Sequence, residues 1–272
     1  YLIRNYCSLK GSYAYMQQYI HLLTNSGAGL PTDLWVSSTD KIAPQKAHQL
    51  AFGTVKSLWG GSFEFTSEVY YKFLSDLITF KEGTVFTNSA NWEDQVATDG
   101  VGDAYGIEFL LRKVKGDTRG WIAYSLAKAT RTFDDINDGK TYPYKYDRRH
   151  DLKIVLSHDF SERFNIALTF MINSGIKATV PTGTFADING NQQTLYSERN
   201  AFEYPTYHRS DISFNWTKQK KWGERTWTVG FYNVYNRQNP YFIYFETIDN
   251  RRVASQFALF PILPSFSYNF KF

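Results

Sequence analysis

The stretch ILPSFSYNFKF, residues 262–272, decides the fold class, because ring and polar side chains alternate along it. The aromatic positions are Phe266, Tyr268, Phe270 and Phe272, and serine, asparagine and lysine side chains occupy the positions between and before them. Successive residues of a β-strand point to opposite faces, so this pattern predicts a strand with one aromatic face and one polar face. In water the aromatic face would need a second layer to cover it, whereas in a membrane it contacts lipid.

The same period of two recurs along the whole chain. Apolar and polar residues alternate, with local exceptions, in the segments Phe63–Tyr71, Tyr105–Leu111, Ile122–Leu126, Asp151–Ser157, Asp211–Trp216 and Thr226–Phe231. The sequence therefore predicts an all-β protein with antiparallel strands.

The connections between these segments alternate in length. Short polar connections are expected at Trp59–Ser62, Lys115–Arg119, Asp159–Arg163 and Lys218–Glu224. Long connections are expected at Gln17–Lys46, Lys81–Asp103, Phe133–Tyr146, Gly175–Thr206 and Arg237–Pro261. Short turns at one end and long loops at the other are typical of outer-membrane barrels. We therefore predict a transmembrane antiparallel β-barrel, with about ten strands in this chain.

The composition agrees with a barrel and excludes other classes. Aromatic residues make up 18% of the 272 residues, and such rings suit the two interfaces of a membrane. The mean hydropathy is −0.42 and no run of apolar residues is long enough for a helical span. The net charge of +4 is dispersed, so no nucleic-acid partner is expected. The single cysteine, Cys7, cannot form an internal disulfide.

Both edges of the predicted sheet need partners, because an unpaired strand edge in hydrocarbon leaves backbone groups unsatisfied. Either the ten strands close on themselves or further strands complete the barrel. The chain starts at Tyr1 inside an apparent strand, without an initiator methionine or an export signal. We therefore expect the true N-terminus to lie upstream.

Several segments together resemble the C-terminal part of TonB-dependent outer-membrane receptors, especially the subclass that carries a carboxypeptidase-regulatory-like domain ahead of its plug. These segments are Gln17–Leu23, Pro31–Trp35, Ala104–Glu108, Gly120–Leu126, Tyr146–Leu152, Tyr207–Asp211, Tyr232–Pro240 and Leu263–Phe272. The resemblance runs through nearly the whole chain, in this order and at this spacing.

The resemblance implies a barrel of 22 strands that encloses an N-terminal plug. Residues 1–272 would then be the C-terminal half of the barrel, with the plug and N-terminal domains outside this chain. The implied function is energy-coupled uptake of a ligand too large or too scarce for porins. The ligand class stays open between siderophore, vitamin, oligosaccharide and peptide.

The resemblance also implies a location and a set of partners. The protein would be integral to the outer membrane, in contact with its lipid, and would need no cofactor. The TonB complex would act through the N-terminal part that this chain lacks. The barrel-assembly machinery would read Phe266, Tyr268, Phe270 and Phe272 at the C-terminus. A surface lipoprotein is a further candidate partner.

Residue parity predicts which polar side chains face the barrel interior. Candidates to face ligand or plug are Glu108, Arg149, Asp151, Asn173, Arg209 and Asp211. Two Arg-x-Asp pairs, at Arg149 and at Arg209, lie on strands separated by one other strand, within about 10 Å by sheet spacing. Two interpretations stay open: a structural pairing of charges along the wall and with the plug, or the lining of a path that opens when the plug moves.

The turn at residues 134–139 clusters oxygen ligands that suit Ca²⁺, but it lacks the spacing of a calcium loop that ends in a bidentate glutamate. We therefore expect a solvated turn, with a calcium site as the alternative and no other metal site. The candidate ligands are Asp134, Asp135, Asn137 and Asp138.

Three alternatives to an outer-membrane transporter make different demands on the sequence. An outer-membrane hydrolase needs a nucleophile beside a histidine, and His150 and His208 are predicted to point outward, so no enzyme is expected. A receptor-like barrel could instead serve as a structural subunit beneath a surface lipoprotein. A soluble β-sandwich is disfavoured, because the aromatic face of residues 262–272 would aggregate in water.

Overall fold

The computed structural model describes residues 2–4, 6–24, 33–82, 89–248 and 251–272. Tyr1 lies outside the described residues, as do Pro31 and Thr32 of the second matching segment and parts of two expected long loops. In the described part of the chain, no helix has the length and apolarity needed to span a membrane. The helical segments there are two 3-10 turns, Ser89–Gln95 and Asn137–Gly139.

Ten long antiparallel strands build one sheet. They are β2 (Cys7–Gln18), β5 (Gln45–Leu58), β6 (Phe63–Phe80), β7 (Val96–Lys113), β8 (Thr118–Thr132), β10 (His150–Ser161), β11 (Phe164–Asn173), β16 (Tyr207–Lys220), β17 (Gly223–Tyr232) and β20 (Leu263–Lys271). Two short strands join them, β1 (Leu2–Arg4) beside β2 and β9 (Tyr142–Pro143) beside β8. Each long strand has at least the 9 residues of β20, which suffices to cross a bilayer at the usual tilt. The prediction of about ten antiparallel strands is confirmed.

Neighbouring strands follow each other in chain order from β1 to β20, and the sheet is open at those two edges in the described structure. The short connections fall at residues 59–62, 114–117, 162–163 and 221–222. The long ones fall at residues 19–44, 81–95, 133–149, 174–206 and 233–262. The expected sorting of short and long connections is therefore present. The loop expected at Lys81–Asp103 is shorter than predicted, because β7 already begins at Val96.

The pairing register places apolar side chains of all ten strands on one face, which we call the apolar face. One row of directly opposed residues shows this: Ile107 lies opposite Val69 and Leu126, and Val69 lies opposite Phe52. At the other end of the sheet Phe214 lies opposite Val229, which lies opposite Phe266. The residues between them in sequence form the polar face, which carries most of the charged side chains.

Strands β6 and β7 have 18 residues each, more than a membrane crossing needs, and their ends at the long connections bend. The register shifts between Leu74 and Thr79, and both Asp76 and Asp99 have a positive φ, as in a β-bulge. Beyond the bulges Leu77–Phe80 are buried. We call this bent end, residues 74–80 and 96–100, together with the five long connections, the loop layer.

The loop layer has its own hydrophobic cores and its own short strands. One core joins the connection 19–44 to the bent ends of β6 and β7 through Leu23, Val36, Ile42, Ile78, Phe80 and Val96. A second contains Leu77, Ala97, Phe133, Ile136 and Tyr142, and a third contains Ala178, Tyr204 and Ile243. Its strand pairs are β3 (Ile20–Leu23) with β4 (Leu34–Ser37), β12 (Lys177–Ala178) with β15 (Phe202–Glu203), β13 (Pro181–Ala186) with β14 (Gln192–Tyr196), and β18 (Pro240–Ile248) with β19 (Arg251–Ala258). The long connections therefore form a packed layer at one end of the sheet.

Candidate functional site

A row of carboxylates and amides crosses the polar face. Glu68 lies directly opposite Glu108, and Ser125 lies opposite both Glu108 and Asp151. The row continues from Asp151 to Asn173 on β11. The pairing thus brings Glu108, Asp151 and Asn173 into one row across the polar face, and the structure adds Glu68, which parity alone did not single out.

Asn173 stands out in this row because it is buried and its amide oxygen has no hydrogen-bond partner among the described residues. It lies at the end of β11 where the long connection 174–206 begins. A buried acceptor without a donor costs free energy, so this oxygen is available to a donor from outside the described residues.

Arg209 and Asp211 are the centre of a hydrogen-bonded cluster on the polar face, which we call the Arg209 group. The Arg209 Nε donates to Asp211 Oδ2 at 3.1 Å, and the guanidinium also donates to the hydroxyls of Tyr207 and Tyr232. The guanidinium stacks 4.0 Å from the centre of the Tyr232 ring. The second oxygen of Asp211 accepts the backbone N–H of Asn233 at 2.9 Å. This group therefore fixes the start of the connection that follows β17.

In the other Arg-x-Asp motif, Arg149 and Asp151 have different partners. Arg149 instead contacts the buried carboxylate of Asp147, with 3.4 Å between Nη2 and Oδ2. Asp147 lies in the loop before β10 and accepts the backbone N–H of Ala129, which holds it against β8. Asp151 forms an ion pair with Lys153, two residues further along the same face, with 3.2 Å between Oδ2 and Nζ. Parity placed Arg149 and Asp151 near each other but could not show that a loop carboxylate competes for the arginine.

Near the short turns the polar face carries a chain of neutral hydrogen bonds. Asn165 donates to Ser157 at 2.7 Å, Asn215 donates to Asn165 at 3.2 Å, and Thr228 donates to Asn215 at 2.8 Å. These four side chains link β10, β11, β16 and β17. Asn165 also donates to Asp159 at 2.7 Å, and Asp159 forms an ion pair with Arg119, so this chain adjoins a charged pair near the short turns.

The long connections are joined to each other by polar contacts between residues far apart in sequence. The buried Lys145 ammonium lies 3.2 Å from Asp33, whose other oxygen accepts the Tyr146 hydroxyl at 2.7 Å. Burial, and then the hydrogen bond to Asp33, raises the pKa of Tyr146 above its ordinary value. Arg199 donates to Thr79 at 3.1 Å, and its backbone N–H donates to the Asn137 side chain at 3.0 Å. Sequence periodicity carries no signal for any of these contacts.

The turn proposed for calcium is organised differently from a cation site. The Asn137 side-chain oxygen accepts the Arg199 backbone N–H, and Asp138 lies 3.9 Å from the Lys140 ammonium. In the described part of the chain, no group of three or more histidine, cysteine, aspartate or glutamate side chains is placed to hold a metal ion. Asp134, Asp135, Asn137 and Asp138 therefore do not converge on one point.

The histidines weighed for catalysis pair with tyrosines on the apolar face. His150 Nδ1 lies 2.8 Å from the Tyr124 hydroxyl, and His208 Nδ1 lies 2.9 Å from the Tyr235 hydroxyl. A third pair joins His48 and Tyr13 at 2.8 Å. Phenol groups beside imidazoles at the rim of an apolar face suit a membrane interface, where the rings are apolar and the tips are polar.

Residues 2–236 match the family described as TonB dependent receptor-like, beta-barrel. The chain belongs to this family. No curated protein matches the sequence.

Solved structures of TonB-dependent receptors have the same fold. The match to the ferric-catecholate import receptor Fiu from Escherichia coli K12 covers 100% of this chain and 34% of that receptor, at 15% identity and a TM-score of 0.58. The match to the pyoverdine outer membrane receptor FpvA from Pseudomonas aeruginosa PAO1 covers 100% of this chain and 35% of that receptor, at 11% identity and a TM-score of 0.60. The match to the ferric yersiniabactin uptake receptor FyuA from Yersinia pestis covers 99% of this chain and 35% of that receptor, at 13% identity and a TM-score of 0.58.

This chain spans about a third of the length of those receptors, and at such identities the likeness concerns the fold. Membership in the family assigns an environment to each of the two faces of the sheet. The apolar face of a transmembrane barrel contacts lipid, and the polar face lines the interior. The Glu68–Asn173 row and the Arg209 group are therefore parts of an interior wall beneath the loop layer.

Proposed function

We propose that this chain is the C-terminal part of the barrel of an outer-membrane receptor that imports a ligand with energy delivered through the TonB complex. The observation that carries the proposal is the division of one sheet into a lipid-facing apolar side and a charged interior wall, with a packed loop layer above the wall. A porin-like channel has no need of a layer with its own hydrophobic cores.

The rest of the receptor belongs to the same proposal. A plug and a TonB-binding segment precede the barrel, and further strands complete the pairing of the open edges at β1 and β20. Assignment to the subclass with a carboxypeptidase-regulatory-like domain rests on the matching segments alone. The intact mass of the protein extracted from outer membranes tests this part: a mass far above 31.6 kDa supports it, and a mass near that value contradicts it.

Transport itself is tested by uptake. Strains that lack this protein, and strains that lack TonB, are compared with the parent for uptake of ferric siderophores, cobalamin, oligosaccharides and peptides. The neighbouring structures are receptors for ferric siderophores by their own descriptions, so this class is screened first. Loss of uptake of the same ligand in both strains supports the proposal. Normal uptake of every ligand in the strain that lacks this protein contradicts it.

Whether the interior wall lines the ligand path is tested with Arg149→Ala and Arg209→Lys. Arg149 is partly exposed and holds one loop carboxylate, whereas Arg209 binds three groups, so truncating Arg209 would disturb folding. Arg209→Lys keeps the charge but loses the planar donor geometry. Normal amounts of folded receptor with reduced uptake support a path along this wall, and normal uptake by both variants favours the structural interpretation.

One observation favours a structural subunit as the alternative function. The hairpin β13–β14 carries exposed apolar side chains, with Ile188 fully exposed at its tip and Phe185, Leu195 and Tyr196 about half exposed. Such a surface on the loop side suits contact with another protein, for instance a surface lipoprotein. A lipoprotein that co-purifies with the wild type but not with an Ile188→Ser, Leu195→Ser variant, together with unchanged uptake, would favour this alternative.

A further inference from the structure

Two arginines, one at the loop end of β8 and one in the loop layer, carry positive charge that no ion pair with a described residue neutralises. Arg131 lies at the loop end of β8, on the same face as Ser125, and is therefore on the interior side. Arg199 lies in the connection 174–206 and reaches β6 through its bond to Thr79. In the part of the chain that the structure describes, neither guanidinium forms an ion pair with a carboxylate.

The two side chains flank the same tyrosine. Tyr142 is paired directly with Arg131 in the β8–β9 register, and the charges of both arginines act on its hydroxyl. Tyr142 belongs to the hydrophobic core that contains Phe133 and Leu77. The two guanidiniums therefore border an apolar cluster, where water screens their charge poorly.

Each guanidinium keeps donors that are not used. Arg131 stacks with its Cζ 3.8 Å from the centre of the Tyr144 ring, and its guanidinium donates no hydrogen bond to another described residue. Arg199 uses one nitrogen for Thr79, while its buried Nε has no partner. Burial lowers the pKa of the Arg199 guanidinium, which reflects the cost of holding this charge without an anion. A planar fork with free donors matches the oxygen geometry of a carboxylate or phosphate.

The surrounding loops hold the arginines in place, so the arrangement is not a chance feature of free side chains. The Arg199 backbone N–H is bound by Asn137, and the next residue, Asn200, is buried and donates to the Pro143 carbonyl at 2.9 Å. Among the described residues, the charge of Glu82 acts on Arg199, and one oxygen of this carboxylate accepts the Asn137 N–H. Two positive charges thus lie near a single negative charge in the described part of these loops.

We propose that Arg131 and Arg199 form an oxyanion-binding site at the mouth of the barrel, which takes a carboxylate or phosphate group of the ligand. This inference rests on the proposed function, because it assigns a chemical class to the ligand that the loop layer admits. The tyrosines beside the arginines add ring surface for an apolar part of that ligand.

The test measures binding of inorganic phosphate and of citrate to the purified full-length protein in detergent, by calorimetry at a fixed ionic strength set with chloride. We expect wild type to bind at least one anion, and the Arg131→Gln, Arg199→Gln variant to bind it about tenfold more weakly or worse, since charge-assisted hydrogen bonds are lost. Lys140→Gln is the matched control, because Lys140 is an exposed cation of the connection after β8 and its ammonium pairs only with Asp138 among the described residues. It should bind like wild type.

A second variant keeps the test decisive if the double variant does not fold. Glu82→Gln preserves the acceptor for the Asn137 N–H but removes the negative charge beside Arg199, so it should bind the anion more tightly than wild type. No anion binding by wild type, equal affinity in the double variant, or unchanged affinity in Glu82→Gln would each overturn the inference. The binding measurement needs no TonB, so anion binding without TonB-dependent uptake contradicts transport alone, and uptake without anion binding contradicts this site alone.

Discussion

The apolar face and the loop layer use the same kinds of residues under opposite conditions. On the apolar face Leu50 and Phe266 are 60% and 67% exposed in the protein alone, and only lipid covers them. In the loop layer Leu23 and Leu77 are completely buried by other parts of the chain. The first region therefore depends on the bilayer for its burial, and the second depends on contacts between distant loops.

This difference predicts that substitutions in the two regions affect different properties of the protein. A change on the apolar face should act through insertion in the membrane and leave the loops packed on one another. A change in the loop layer should loosen the loops and leave the strands in the membrane.

The largest expected effect is that of a charge on the apolar face. Phe170→Lys places an ammonium among Ile154 and other apolar neighbours and should cost about 2–4 kcal/mol of stability near the middle of the membrane. Thr169→Lys is the matched control, since it lies one residue away on the polar face, opposite Asp211. Denaturant unfolding of the receptor in lipid vesicles measures both, and equal losses in the two variants would contradict the assignment of the faces.

Steric change inside the loop layer should have the next largest effect. A Cβ at Gly175 would stand 1.8 Å from the Tyr204 carbonyl oxygen, so Gly175→Ala must push two loop segments apart, at a cost of about 1–3 kcal/mol. At Gly183 the nearest atom to a Cβ is a leucine methyl at 3.8 Å, an ordinary contact. We expect faster proteolysis within residues 174–206 for Gly175→Ala but not for Gly183→Ala, with unchanged stability of the strands in vesicles. Loss of strand stability in Gly175→Ala would show that the two regions do not act independently.

The same comparison explains how much the sequence could predict. The ten strands, their faces and the sorting of the turns follow from a period of two, because lipid on one side and a polar interior on the other impose that period on every strand. Residue parity also predicts that Glu108, Asp151 and Asn173 share the polar face, but only the pairing register brings them into one row.

The loop layer has no such period, and its contacts join residues far apart in sequence. Asp33 contacts Lys145, and Thr79 contacts Arg199, across 112 and 120 residues of sequence. For the same reason residue parity does not predict the pairing of Arg149 with Asp147, or the position of Arg131 beside Tyr142 and Tyr144. Residue parity shows the direction of a side chain, but not which loop closes over it.

A smaller effect is expected from pH. The neutral Tyr146 phenol is favoured in the folded loop layer, because burial and Asp33 raise its pKa above the ordinary value of 10.0. Its contribution to stability is therefore complete below that pH and is lost as the pH rises from there toward the raised pKa. Tyr146→Phe should weaken the loop layer by about 1 kcal/mol at neutral pH, through loss of the hydrogen bond, and should lack this part of the alkaline decline.

Pulsed subtilisin digestion of the loops, from about pH 8 to about pH 11, measures this difference across the range in which tyrosines lose their protons. Tyr241→Phe, which changes an exposed tyrosine of the same layer, is the control. An identical alkaline decline in wild type and Tyr146→Phe would mean that the contact with Asp33 does not hold the layer together.

The smallest expected effect on stability separates folding from assembly. Phe272 is 98% exposed and its ring contacts Phe270, so Phe272→Ala should change the unfolding free energy by less than about 0.5 kcal/mol. Ile188, which is fully exposed at the other end of the molecule, is the matched control. If the aromatic C-terminus is read during assembly, Phe272→Ala lowers the amount of heat-modifiable, folded receptor in the outer membrane several-fold, while Ile188→Ala does not. Equal amounts of folded receptor in both variants would mean that the Phe272 ring is not needed for assembly.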